Sequence, residues 1–307
     1  MNALELINIS KSYSGKLALK DVNFVLEEGV VAGLVGPNGA GKTTLFSTIA
    51  GFIAPDTGEV KIYDQPLNSL GTLKGLLSIL PQDARFQKGL SIRRQLLWYS
   101  KLMGLEDKEA YEETERVLKL VDLVDAAEKE GDQLSHGMHK RMAVAQAFIA
   151  NPKIVLLDEP TSGLDPANAR QIRNMITRQR GRQSFMVSSH NLDEIADLCD
   201  FVVILDKGRV IESSSMAAFV KEESLISVSV SEMPSKSQIT SLESMDFVKS
   251  IKVSEDSQRL AIIISDGYTE DPAILASLAT KLAEIQVKFT GMSKGSTLEE
   301  RFLEMTE

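Results

Sequence analysis

Glycines at positions 36, 39 and 41 lead into a lysine and a threonine in the run Gly36-Pro37-Asn38-Gly39-Ala40-Gly41-Lys42-Thr43. This is a complete G-x-x-x-x-G-K-[ST] pattern, whose glycines let a short loop curl until its N–H groups converge on phosphate oxygens. Lys42 is suited to the β and γ phosphates of a nucleotide, the Thr43 hydroxyl to Mg²⁺, and Thr44 to a further phosphate contact. A second group of reactive side chains stands at Ile154–Pro160 (IVLLDEP), where an apolar run ends in Asp158 and Glu159. Carboxylates at the carboxyl end of a buried parallel strand sit where such sheets bind ligands. Asp158 is expected to hold the Mg²⁺ hydration shell, and Glu159 to polarise the attacking water as general base.

These groups need strands and helices to hold them. Val30 to Val35 (VVAGLV) runs directly into the glycine loop, and Ile154 to Leu157 runs into the carboxylates. Short apolar runs of this kind, followed by turn residues and then a helical pattern, read as buried strands of a mostly parallel sheet. Helical patterns cover Lys42–Ala50, Lys108–Val121, Gly137–Ala150, Pro166–Arg178 and Leu192–Leu198, with Pro166 where a first-turn proline is tolerated. The alternation predicts an α/β core.

Beyond the turn at Lys207-Gly208 the texture changes. Alternation at Leu225–Ser231 is followed by a weak helix near Ser237–Met245, strands at Phe247–Val253 and Leu260–Ile264, a helix over Pro272–Ile285 and a strand at Gln286–Thr290. That order is βαββαβ, a split arrangement of ferredoxin-like type. A boundary near Phe219 would divide the chain into segments 1–219 and 220–307. Thr297–Met305 (TLEERFLEM) opens with Thr297 and carries Glu300 three residues on, the pattern of a capping box before a terminal helix.

Composition narrows the partners. Lys and Arg number 34 against 43 Asp and Glu, a net charge of -9 that argues against a duplex nucleic acid partner. Hydrophobic residues at 43% and charged residues at 25% are ordinary for a globular chain, which excludes wholesale disorder. The only cysteine is Cys199, so no intramolecular disulfide can form and a reducing cytoplasm fits best. The start of the chain shows no basic segment followed by an apolar one, and nowhere do 18 apolar residues run together. The expectation is a chain that neither spans a membrane nor carries an export signal, yet is free to dock on a membrane protein.

Further motifs, in order, make the sequence resemble the nucleotide-binding domain of an ABC transporter over Leu4 to Glu212. LSHGMHKR (Leu134–Arg141) resembles the family signature, TSGLDP (Thr161–Pro166) the D-loop, SSHNLDE (Ser188–Glu194) the switch-histidine segment, and LPQD (Leu80–Asp83) the Q-loop. The resemblance implies a phosphate-loop NTPase core of ABC type with antiparallel β and helical subdomains, followed by the small α+β domain. It implies ATP and Mg²⁺ as ligands, with Tyr13 stacking on the adenine and Gln82 sensing the γ-phosphate or Mg²⁺. It implies a head-to-tail homodimer in which each ATP lies between one chain's loop and the other's Ser135 and Gly137. His190 would contact the γ-phosphate, and Asp165 would communicate across the interface.

The chain departs from the family pattern twice. His136 and Met138 stand where signatures usually have glycine and glutamine, so the backbone at position 136 must avoid a conformation that only glycine accepts. Ser91–Leu96 (SIRRQL) follows the Q-loop where an acidic residue is common. The ending TLEERFLEMT resembles ATPase subunits of exporters of drugs, lipids or polysaccharides, whose permease is a separate polypeptide. The implied function is the motor subunit of such an exporter, peripheral on the inner face of the cell membrane. The alternative is a soluble ABC ATPase acting on ribosomes or DNA.

Overall fold

A computed structural model of the chain describes every residue except 68–69, 83, 85, 221–224, 255–257, 266–267, 269–272, 296–297, 299–301, 303–304 and 306–307. The chain divides into two compact units, Met1–Ser215 and Met216–Glu307.

The first unit opens with a hairpin of β1 (Asn2–Tyr13) and β2 (Lys16–Glu27). Along β2, Val22, Phe24 and Leu26 are buried while Asn23, Val25 and Glu27 are exposed, the period of two expected of a strand with one face on the core. Next, β3 (Val31–Val35) is buried along its whole length, and α1 (Lys42–Ile49) follows the glycine loop. Then come β4 (Thr57–Ile62), β5 (Gln65–Pro66), β6 (Leu77–Leu80), α2 (Ile92–Leu102), α3 (Asp107–Leu120), α4 (His136–Ala147) and β7 (Ile154–Asp158). The unit closes with α5 (Pro166–Gln179), β8 (Ser184–Ser188), α6 (Leu192–Leu198), β9 (Phe201–Asp206) and β10 (Arg209–Ser215).

Two sheets result. One is antiparallel, in the order β2-β1-β4-β5; the other runs β10-β9-β3-β8-β7-β6, parallel except for the β9–β10 pair at its edge. A single buried cluster joins them around α1, with Leu45, Phe46 and Ile49 of the helix among Leu4, Leu6 and Phe24 of the first sheet and Leu34, Met186 and Val203 of the second. Fully covered parallel strands read as continuous apolar runs, which is why β3 and β7 are visible in the sequence. The signals for β1 and α2 are weaker. Register shifts at four places along the β1–β2 ladder interrupt the alternation of β1. In α2 polar Gln95 and Ser100 are buried beside Ile92 and Leu96, while Trp98 and Leu102 are exposed, which blurs the amphipathic pattern.

The helix expected over Gly137–Ala150 starts at His136 and ends at Ala147, because Ala150 and Asn151 take left-handed backbone that stops it.

In the second unit, α7 (Met216–Val220) precedes β11 (Leu225–Val230), α8 (Lys236–Glu243), β12 (Val248–Ser254), β13 (Arg259–Ile264), α9 (Ala273–Glu284) and β14 (Phe289–Lys294). The sheet is antiparallel in the order β12-β13-β11-β14, so β13 lies between the two strands of the β11-α8-β12 crossover, as in a ferredoxin-like fold. Ile226, Val228, Leu260 and Ile262 form its core with Leu242 of α8 and Leu278 and Leu282 of α9. The last strand begins later than the sequence suggests. Gln286 is left-handed and Val287 N–H bonds back to the Leu282 carbonyl, so these residues close α9 and β14 starts at Phe289. Leu298, Phe302 and Met305 are helical, while Thr297 and Glu300, the capping pair, lie outside the described residues.

Candidate active site

The loop between β3 and α1 is shaped by sterics. Gly41 has φ 110°, and a Cβ there would stand 2.6 Å from the Ala18 carbonyl oxygen, so no other residue fits. Ala40, buried, tightens the turn by donating its N–H to the Pro37 carbonyl at 3.1 Å. No side chain caps α1, so its first-turn amides are left for a ligand, and the positive end of the helix favours an anion. Lys42 Nζ donates to the carbonyls of Gly36 at 2.6 Å and Pro37 at 3.3 Å. Burial pulls the lysine's pKa down, and the charges of Glu159 and Asp158 oppose that shift.

Asp158 ends β7 and is almost fully buried. Its Oδ2 accepts from Thr43 Oγ1 at 3.3 Å and its Oδ1 from Ser188 Oγ at 2.6 Å. The same Ser188 hydroxyl accepts the N–H of Glu159 at 2.9 Å, so the end of β8 fixes both acidic residues. Glu159 has φ 52°, a left-handed conformation that costs a non-glycine residue of order 1–3 kcal/mol and persists only where the surroundings impose it. Its Oε2 lies 2.8 Å from His190 Nδ1. An ionised carboxylate has no hydrogen to give, so Nδ1 is the donor.

These groups share one cleft, lined by Asn38, Gly39, Gly41, Lys42, Thr43, Thr44, Gln82, Asp158 and Glu159. Gly36, Pro37 and Ala40 belong to the loop that borders it and His190 stands against Glu159, while Tyr13, Ser135, Gly137 and Asp165 are not among its lining. Tyr13, at the end of β1, is 45% exposed with the Lys11 ammonium 5.8 Å from its ring centre. Ser135 caps α4 by accepting the Met138 N–H. His136 begins the helix with right-handed backbone, so a side chain is accepted there without strain. Gly137 packs against α5, where a Cβ would come within 2.4 Å of the Asn168 side chain. Asp165 caps α5 through the N–H groups of Ala167 and Asn168 at 3.0 Å, and these bonds, with Asn168 foremost, hold its carboxyl below the usual range.

Three contributors were not expected from the sequence. Ser188 bridges the acidic pair, and Lys140 donates to the Glu159 carbonyl at 3.2 Å. Buried Glu194 accepts from Thr161 and Ser189 at 2.7 and 3.1 Å and pairs with Arg173, which ties the segment after Glu159 to the start of α6. Each acts across chain separations that local patterning does not reveal.

Residues 19–162 match the family model described as ABC transporter. An uncharacterized ABC transporter ATP-binding protein of Bacillus subtilis, YhcH, is 33% identical over 99% of this chain and 95% of its own length. The chain belongs to the ABC transporter ATP-binding proteins. The linearmycin resistance ATP-binding protein LnrL of the same organism is 27% identical over 99% of this chain and 98% of its own, and the Nod factor export ATP-binding protein I of a Rhizobium species is 30% identical over 72% and 73%. Among solved structures, cbiO1 of Clostridium perfringens, part of the ABC transporter complex cbiONQ, superimposes with a TM-score of 0.66 at 27% identity, covering 72% of this chain and 92% of that one. This ABC transporter ATP-binding protein therefore has the ABC ATPase fold that its motifs imply, and it is an ATP-hydrolysing transporter subunit.

Proposed function

We propose that two copies of this subunit hydrolyse ATP in shared sites and drive export through a separately encoded permease. The observation that carries the reading is the cleft in which the Lys42 loop, the Thr43–Asp158 pair and the Glu159–His190 pair meet. The phosphates would enter over the α1 amides, with Gly36, Pro37, Asn38, Gly39, Ala40 and Gly41 forming the cradle and Thr44 adding a contact. Lys42, now held by loop carbonyls, would turn to the β and γ phosphates. Glu159 would take a proton from the attacking water, and His190, already on its carboxylate, would contact the γ-phosphate.

A metal fits beside them. Thr43 and Asp158 offer hard oxygen donors already in mutual contact, and the Gln82 amide lines the same cleft. Thr43, Gln82 and Asp158 are the groups that would hold Mg²⁺, which neutralises developing phosphate charge when bound. Tyr13 would stack on the adenine. Ser135 and Gly137 of the partner copy would close the site, with Asp165 at the interface.

Export is the direction carried by the name of the Nod factor relative. Among the described residues no helix is long and apolar enough to cross a membrane, so attachment at the inner face of the membrane would come through the permease. Within the chain, residues 1–219 would be the motor and 220–307 an accessory domain that tunes it. The relatives compared are transporter subunits, which favours this reading over action on ribosomes or DNA. Replacing Lys42 with alanine tests the phosphate site: ATPase activity should vanish, and full activity in Lys42→Ala would refute the assignment.

A further inference from the structure

Glu159 and His190 stand 31 positions apart, just beyond the ends of the neighbouring strands β7 and β8, and the chain beside each is bonded to one buried carboxylate, that of Glu194. Thr161, two residues after Glu159, donates its hydroxyl to Glu194 Oε2 at 2.7 Å. Ser189, the residue before His190, donates to the same oxygen at 3.1 Å. Asn191, the residue after His190, accepts the Glu194 N–H on its Oδ1 at 3.1 Å and gives its own N–H to the Ser189 hydroxyl at 3.1 Å. Arg173 Nη1 of α5 donates to the other carboxylate oxygen at 3.4 Å. Thr161 and Ser189 are themselves buried.

None of Thr161, Arg173, Ser189 and Glu194 is among the residues lining the nucleotide cleft. A buried carboxylate is costly unless it is paired and hydrogen-bonded, and the bonds that Glu194 takes fix both flanks of His190 and the chain after Glu159. Both of those residues need such support. Glu159 keeps a left-handed backbone that its surroundings must impose. The His190 side chain is 67% exposed, and among the described residues its ring bonds to Glu159 alone, so the backbone beneath it decides where it stands. We infer that Glu194 is a positioning residue for hydrolysis, which through Thr161 and Ser189 sets how the general base and the histidine of one nucleotide site face each other. This rests on the roles proposed above for Glu159 and His190. Glu194 itself touches neither nucleotide nor attacking water.

The test is steady-state ATP hydrolysis by the full chain carrying Glu194→Gln, Thr161→Val, Thr161→Ser or Ser189→Ala, beside the affinity of each for a fluorescent ATP analogue. Glu194→Gln turns an amide N–H₂ towards either Arg173 or the two hydroxyls, donor against donor. Thr161→Val keeps the shape and removes the hydroxyl. Both should lose roughly tenfold or more in kcat, because small misplacements of a reacting group are costly, while analogue affinity is kept. Thr161→Ser, which restores the hydroxyl, should restore kcat. Thr161→Val combined with Ser189→Ala should cost less than the product of the two single losses, since both hydroxyls act through one oxygen. Wild-type kcat in Thr161→Val would overturn the inference, as would an equal loss in Thr161→Ser, the full product in the double variant, or a fall in analogue affinity that accounts for the lost rate. If Glu194→Gln does not fold, the Thr161 and Ser189 variants decide, since they leave the carboxylate in place. A parallel Glu159→Gln sample separates the two claims: hydrolysis at the wild-type rate there removes the general-base reading, whereas stopped turnover with unaltered kinetics in the Thr161 variants removes only this inference.

Discussion

Asp56 shows how a single exposed residue ties two segments of the chain together. It accepts from Lys11 Nζ at 2.8 Å and from both the N–H and hydroxyl of Ser12 at 2.7 Å, tying the end of β1, next to Tyr13, to the loop before β4. The Lys11 bond first, and then those of Ser12, hold its carboxyl down at about 2. A carboxyl with a depressed folded-state value stabilises the fold above its unfolded value and loses that contribution as pH falls through the folded one. The stability difference between wild type and Asp56→Asn should therefore be full at pH 7 and shrink between about pH 4 and pH 2. Denaturant melts at several pH values would measure it. A difference that grows on acidification would contradict the assignment.

The elements after Met216 have their own sheet and core, and every group placed in the nucleotide cleft lies outside them. Truncation after Phe219 should leave a soluble chain that binds a fluorescent ATP analogue, with dimerisation or turnover changed. A well-folded truncated chain without nucleotide binding would show that the extension contributes to the site itself. The split βαββαβ order was legible in the sequence because short strands carry apolar residues at every second position, Ile226, Val228 and Val230 on β11 and Leu260, Ile262 and Ile264 on β13. The glycine loop and the acidic strand end were legible for a different reason: their chemistry is local, packed into eight and seven consecutive positions. What escaped was set by distant partners. The bulges of β1 answer to its pairing with β2 and β4, the contact of Lys140 with Glu159 depends on how α4 packs, and the α4 boundaries turn on left-handed backbone at Ala150.

At the scale of the whole molecule, the residues expected to serve ATP fall into two groups that one chain does not bring together. Lys42, Thr43, Asp158, Glu159 and Gln82 share a cleft, whereas Ser135 and Gly137 stand at the head of α4, outside it. A second copy facing the first would complete both sites, which is the central claim of the functional account. The direct test is sedimentation of Glu159→Gln with Mg²⁺ and ATP. The amide is nearly isosteric but cannot accept the proton, and a positioned general base is worth about 10² to 10⁴-fold in rate. The account predicts an ATP-bound dimer that persists because turnover has stopped. A monomer at saturating ATP, or hydrolysis at the wild-type rate, would contradict it.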